Sequence, residues 1–549
     1  MLALTSTPNS NVLSNIANKL RMRTTCLDPV VQHIGDEAVM ELVGTLEEGE
    51  LFSDPDFPAS SASLSYSDPG NEGLQDITWV RPQEMCEIPQ LFVDGISRSD
   101  VKQGILGDCW FLSACASVAK IPELIEKVVA PGQPLSGDGY KGLVAIKFWR
   151  FGYWVTVYID DRLPCRNGSL LYASCADKSE FWVAFVEKAY AKLHGSYESL
   201  AGGHALEAFV DLTGGLAERH EVTPDLFRKL RVAFSHGGFV TCARKGDWQT
   251  EACKDTAVNG LVQGHAYTVT DIRRVEVEDR GSVQMIRVRN PWADDSEWTG
   301  PWSDSIRCQK TLDTRQVDET TKENLEITNL ADGEFWMEFA DFQQEFQEVT
   351  IATLGPDFDL DGITDVPGQV KMVQGCWMEG ENAGGCRNDL EKFSRNPQYL
   401  LTLSEPDEPD PESEEVVAPR CSVLIGLMQE HRRSERNKEL RMLAIAFFIY
   451  KTDMACERLS AEYFLCVPEE GSSGVFTNSR EVLGRFELDP GTYVIIPSTF
   501  YPDRSRNFML RVFALKQFTF RELPPYHNVV GADELQENVL NNNNNNGIL

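Results

Sequence analysis

The sequence predicts an α+β protein of several domains, a mixed helix-and-strand N-terminal part followed by an antiparallel β-sandwich. Three observations carry that expectation. Helical patterns at residues 109–120 and 180–193 alternate with strand pairs at 142–160 and 265–289. From 350 to 520 the texture changes to short apolar runs between turn-rich segments, the pattern of an all-β sandwich. The length of 549 residues, with 42% hydrophobic content and 10% aromatics, suits two to four domains with ample cores.

Residues 1 to about 45 are mixed, and Ile16, Leu20 and Met22 fit one short helix. Leu51-Phe-Ser-Asp-Pro-Asp-Phe-Pro-Ala59 reads as extended chain and turns. At 109–120, Asp108 is positioned to cap a helix that places Leu112, Cys115 and Ala119 on one face. Gly142 to Trp149 and Tyr153 to Asp160 alternate as a hairpin turning at Arg150-Phe-Gly152. Glu180 to Leu193 is a helix closed by Gly195. His265 to Thr270 and Val283 to Arg289 form a second antiparallel pair, joined by a polar turn near Asp279 to Ser282. Beyond 350, Tyr399–Leu403, Ser422–Met428, Ala444–Tyr450, Tyr493–Pro497 and Phe508–Phe513 are the sandwich strands. Glu405 to Glu415 is a dense acidic loop, and Asn541 to Asn546 mark a low-complexity tail.

Composition narrows the function classes. A formal charge of −33 argues against nucleic acid as a partner, since polyanions repel, and is compatible with bound cations. The N-terminus lacks the basic start and apolar core of an export signal, and no run of roughly 18 apolar residues is present. Among 14 cysteines there is no C-x-x-C pair, so the thiols are expected to be reduced and the protein cytoplasmic.

One cysteine stands apart. Gln103-Gly-Ile-Leu-Gly-Asp-Cys109-Trp-Phe-Leu112 puts a thiol in the first turn of a helix, where the dipole favours a thiolate. Gln103 supplies an amide able to donate to a developing oxyanion. A nucleophilic cysteine needs a base and a group that orients it. In an antiparallel pair the start of the first strand lies beside the end of the second, which brings His265 next to Asn290. Trp292 is placed to shield the bond between them from water, although packing in the core explains it equally well.

These residues strongly resemble the protease core of calpains. Gln103–Leu112, Gly264-His-Ala-Tyr-Thr-Val-Thr270 and Arg289-Asn-Pro-Trp292 carry the resemblance, with Leu51–Pro58, Glu180–Lys192 and Asp332–Met337. It continues through Glu379–Asn388, Leu427–Arg433 and Pro497–Phe500. The resemblance implies a two-lobed papain-like cysteine protease core followed by a calpain-type β-sandwich. The boundaries expected are an N-terminal segment 1–50, lobe one 51–195 with the nucleophile, lobe two 196–350 with His265 and Asn290, a sandwich 351–520 and a tail 521–549. It also implies calcium control within the core. The first-lobe ligands would be the carbonyls of Val93 and Gly95 and the carboxylates of Asp100 and Glu180. The second-lobe set would be Glu297, Asp304, the carbonyl of Leu330, Asp332 and Glu334. The Pro291–Trp298 loop is one residue longer than the family pattern, which leaves Glu297 and Asp295 as alternatives. The family pattern also suggests an Arg98–Glu334 pair across the lobes.

Asp357-Phe-Asp-Leu-Asp361-Gly362 imitates half an EF-hand loop, but Gly368 stands where a bidentate glutamate belongs and Pro367 interrupts any exiting helix. The family's C-terminal EF-hand module is not expected, and with it no small EF-hand regulatory subunit. The acidic loop could bind calcium or meet the basic stretch His431 to Arg436, and the sandwich could bind a membrane phospholipid surface with calcium's help; a plainly solvated loop is the simpler reading. The function expected is therefore a calcium-activated cysteine endopeptidase acting on protein substrates. Its rivals are a papain-like protease that needs no calcium and a calcium-responsive scaffold without protease activity.

Overall fold

A computed structural model describes residues 49–235, 237–244, 259–277, 280–292, 297–302, 333–355, 368–408, 420–430, 442–453 and 457–524, with isolated positions besides. The expected short helix near Ile16, residues 357–367 of the EF-hand-like stretch, most of the acidic loop and the Asn-rich tail lie outside the described residues. The chain divides into two compact units, one through residue 367 and one from Gly368 onward.

The first unit is built on helix α1 (Cys109–Val118). The sequence pattern predicts one apolar face; instead every residue from Trp110 to Val118 is buried. The reason is that α1 has protein on both sides. It packs against helix α3 (Ala205–Thr213) and against strand β5 (Ala266–Val277), and a helix enclosed all round carries no polar face. Hairpin β1 (Leu143–Arg150) and β2 (Tyr153–Asp160) pairs in register from Leu143 opposite Asp160 to Arg150 opposite Tyr153. Helix α2 (Trp182–His194) ends at Gly195, whose φ of 103° supplies the left-handed residue that closes a helix.

Charged side chains on α2 turn inward. Lys188 is wholly buried, and its Nζ donates to the Asp160 carboxylate at 2.7 Å and to the carbonyls of Asp160 and Arg162. Lys192 reaches Asp54 at 2.8 Å. Asp54 also accepts the amides of Asp56 and Phe57, so the Phe-Ser-Asp-Pro segment is turned and anchored by one carboxylate. Burial alone would raise Asp160, but Lys188 and Arg162 overcome it and hold the carboxyl down at about 2.

The second half of this unit is a six-stranded antiparallel sheet. Its strands are β3 (Leu216–Glu221), β4 (Phe239–Ala243), β5, β6 (Gly281–Arg289), β7 (Glu334–Glu338) and β8 (Glu348–Thr353), in the order β7-β6-β5-β4-β8-β3. Tyr267, Val269, Val288, Phe335, Met337, Val349 and Ile351 form its core, covered by α4 (Leu226–Ser235) and α5 (Phe339–Glu345).

The second unit is a β-sandwich. One sheet has the order β9 (Gln369–Trp377), β16 (Arg506–Ala514), β11 (Cys421–Gln429), β14 (Glu481–Leu488). The other runs β13 (Gly471–Ser472), β12 (Ile445–Lys451), β15 (Gly491–Thr499), β10 (Tyr399–Leu403), β17 (Phe518–Glu522). Alternate residues such as Val423, Ile425, Leu427, Phe447, Ile449, Ile495 and Leu510 fill the space between the sheets. Arg511, fully buried, is neutralised by Glu481 at 2.5 Å.

Candidate active site

The β5–β6 hairpin does what an antiparallel register requires. Thr268 lies opposite Arg289, with a bulge between Val269 and Asp271, so the residues just outside the pair, His265 and Asn290, meet side by side. His265 Nε2 is 2.8 Å from Asn290 Oδ1 in a buried setting. The same Oδ1 accepts the Trp292 backbone N–H at 3.0 Å, which fixes that atom as the acceptor. His265 therefore donates from Nε2, and Nδ1 is the basic nitrogen of the neutral ring. The imidazole sits against the Trp292 ring at 4.8 Å and edge-on to Tyr267 at 4.9 Å.

Cys109 begins α1 on the opposite wall. Its thiol lies beside the Ala266 backbone amide, the residue after His265. Several bonds tie the walls together: Thr268 Oγ1 to the Ser113 carbonyl at 2.9 Å, the Gln103 amide N–H to the Pro291 carbonyl at 3.2 Å, and Arg289 to the Ser99 carbonyl at 3.3 Å. Trp292 Nε1 donates to Gln103 Oε1 at 3.0 Å. Gly104 keeps this loop in place, because a Cβ there would meet the Tyr172 carbonyl oxygen at 2.4 Å.

Three expectations need correction. The Cys109 thiol is not lowered by its helix. Burial pushes it up to about 11, the neighbouring Asp108 charge adds to this, and the Ala266 and α1 amides offset only part. Asp108 does not cap α1 with its side chain; its carbonyl accepts the Phe111 and Leu112 amides while its carboxyl is wholly buried. Gln103 does not present its amide to the cleft, since Nε2 donates to the Leu106 carbonyl at 2.6 Å.

Residues 52–353 match the family model described as calpain family cysteine protease, and residues 373–513 match calpain large subunit, domain III. The chain is 40% identical to the Calpain-2 catalytic subunit of Bos taurus over 507 residues, 90% of this chain and 69% of that protein. The chain belongs to the calpain family. It is also 41% identical to Calpain-B of Drosophila melanogaster and 42% to Calpain-A of the same fly, over 85% and 87% of its own length. It spans 50% and 57% of those two relatives.

The calcium ligands that the calpain resemblance implies fall into two groups. In the first lobe, Asp94 (φ 55°) and Gly95 (φ 99°) are consecutive left-handed residues that turn the backbone between Val93 and the 97–100 turn. Glu180 is buried and accepts the Val93 amide at 3.1 Å; Asp100 accepts the Ser97 amide at 2.7 Å. Burial, with the Asp100 charge adding to it, raises the Glu180 carboxyl to about 7. Among the described residues no three His, Cys, Asp or Glu side chains converge as a metal cluster. The first-lobe set is thus two carboxylates plus carbonyls, all oxygen donors, which fits a hard cation such as calcium.

In the second lobe, Asp304, Leu330 and Asp332 lie outside the described residues, as does Asp295. Glu297 is buried and accepts the Gly333 amide at 2.8 Å, so it reaches the 333–334 loop despite the extra residue. Glu334 is paired with Arg287 on the adjacent strand at 2.8 Å, and the side chain of its expected partner Arg98 is not among those described.

Glu187 was read only as part of a helix. It is 1% exposed on α2 and acts on Asp108, the residue before Cys109. Helical periodicity gives no signal for it, because its neighbours come from residues 108 and 173.

Proposed function

We propose that this chain is a calcium-activated cysteine endopeptidase that cleaves protein substrates. The observation that carries the reading is the His265–Asn290 bond, held in one tautomer by the Trp292 amide and facing the wall on which Cys109 begins a helix.

Cys109 Sγ attacks the scissile carbonyl while His265 Nδ1 takes its proton, and the imidazolium then gives that proton to the leaving amine. Asn290 holds the ring and disperses the charge it gains. Burial raises the Cys109 thiol, and passing its proton to His265 pairs the thiolate with an imidazolium. The Cys109 backbone N–H and, once released from the Leu106 carbonyl, the Gln103 amide hold the oxyanion. Val93, Gly95, Asp100 and Glu180 would hold calcium through their oxygens, and the ion would supply positive charge to offset the repulsion of the two carboxylates. Glu297 and Glu334 are the described members of the second-lobe set.

The cytoplasm is the proposed location; in support, all ten described cysteines are free thiols. Hydrolysis of casein by the full chain, titrated with calcium and with a chelator, tests the proposal. Activity that rises with calcium and stops in chelator is expected. Full activity in chelator removes the calcium dependence, and no activity at any calcium concentration favours a scaffold role.

A further inference from the structure

Asp108 and Glu187 form a pair of carboxyl groups sealed behind the nucleophile. Asp108 is 0% and Glu187 1% exposed. Both oxygens of Glu187 accept the Ala173 amide, at 3.1 and 3.0 Å. Neither oxygen of Asp108 has a donor in good hydrogen-bond geometry; the other carboxyl faces it, and its own backbone amide and the Gln103 side chain favour its charge by less than burial opposes it. Two ionised carboxylates offer each other only acceptors; a proton held between them supplies the missing donor.

No cation is at hand to replace that proton. Among the described residues no salt bridge reaches either carboxyl, and Lys188, next to Glu187 in sequence, is consumed by Asp160. The titratable groups that face the pair are Cys109 and Cys115 on α1, Tyr172 on the adjoining segment and Tyr197 beyond α2. Arg166 and Asp160 act on those tyrosines from farther off. The Gln103 side chain is the neutral group beside Asp108.

We propose that Asp108 and Glu187 are a proton-sharing pair of positioning residues that sets the ionisation of Cys109 from behind. The proposal rests on Cys109 being the nucleophile. A fully protonated pair leaves the thiolate unopposed, and loss of one proton puts a negative charge against it. Burial raises Asp108, and burial with the Asp108 charge raises Glu187, so the pair gives up its first proton above the usual carboxylate range and holds the second more tightly.

The test is the rate of Cys109 alkylation by iodoacetamide against pH, read by mass spectrometry on the full chain at constant calcium. It compares the wild type with Glu187→Gln and with the double variant Asp108→Asn/Glu187→Gln. The double variant has no carboxyl left to acquire the charge, so it matches the wild type at acid pH and exceeds it at alkaline pH by about tenfold, one pKa unit. In Glu187→Gln the new amide donates to Asp108 and keeps it ionised. That variant falls about tenfold below the wild type at acid pH and matches it at alkaline pH. A merely structural pair would shift both variants equally at every pH, and that result overturns the proposal. Should either variant fail to fold, infrared spectroscopy of the wild type decides. At about pH 8, where exposed carboxyls are ionised, the protein keeps a protonated-carboxyl band that shifts in deuterated buffer, and a spectrum without one refutes the pair. Alkylation needs no turnover. An inactive chain with the expected profiles would sink the peptidase reading alone, and an active chain with parallel profiles would sink only the pair.

Discussion

Replacing Asn290 by alanine removes one acceptor from two donors, His265 Nε2 at 2.8 Å and the Trp292 amide at 3.0 Å. The site is fully buried, so water does not replace the lost oxygen. At rest the bond selects the Nε2–H tautomer; in the proposed reaction it becomes a charge-assisted bond to imidazolium, worth about 1.5–3 kcal/mol. Loss of about 2–3 kcal/mol of transition-state stabilisation lowers kcat/KM by about 30- to 150-fold. The fold loses about 1–3 kcal/mol through the unpaired Trp292 amide, measurable by urea denaturation. Asn290→Asp keeps an acceptor and should recover most of the rate. The assay is hydrolysis of a fluorogenic peptide at saturating calcium. A folded Asn290→Ala protein within about threefold of wild type would refute the assignment of Asn290 as the group that orients His265.

Other perturbations test the frame around the site. Lys188→Met removes one of the two cations on the buried Asp160 carboxylate, leaving Arg162 at 2.6 Å, and should cost about 3 kcal/mol in urea denaturation. The folded pKa of Asp160, about 2, lies below its unfolded value, so its contribution is complete above roughly pH 4 and disappears as pH falls toward 2. An acid titration of stability should show that loss in the wild type. The shift alone is worth about 2 kcal/mol, and the downward shift of buried Lys188 takes part of it back. Asp54→Ala removes the Lys192 pair and the turn bonds to Asp56 and Phe57, and should open the 51–60 segment to proteolysis before the rest of the unit. Glu481→Ala leaves Arg511 charged and buried, and should destabilise the sandwich by about 3–5 kcal/mol, whereas a paired apolar replacement of both residues should cost much less.

The helix start at Cys109 and the meeting of His265 with Asn290 were legible because their signals are local. Cys109 follows a helix-start pattern, and the spacing of His265 and Asn290 follows from one hairpin. The strands Tyr399–Leu403 and Cys421–Gln429 were visible as apolar runs, whereas Gln369–Trp377 and Glu481–Leu488 escaped notice. Those two flank their sheet, expose alternate residues and carry Gly375 and Gly484, where aromatic rings of Phe508 and Phe486 occupy the space of a side chain. The inward-facing Glu187, Lys188 and Lys192 read as a polar helix face because their partners, Asp108, Asp160 and Asp54, lie far away in sequence. The state of Cys109 was misread for a related reason. Its helix terminus is a local feature that favours the thiolate, but enclosure by the cleft walls is a tertiary one, and enclosure wins.

The central claim is that Cys109 is the nucleophile of a peptidase. Casein cleavage by the full chain beside its Cys109→Ala variant, both folded and both in millimolar calcium, tests it most directly. Cleavage by the wild type and none above background by the variant is the predicted result. Equal cleavage by the two proteins would contradict it.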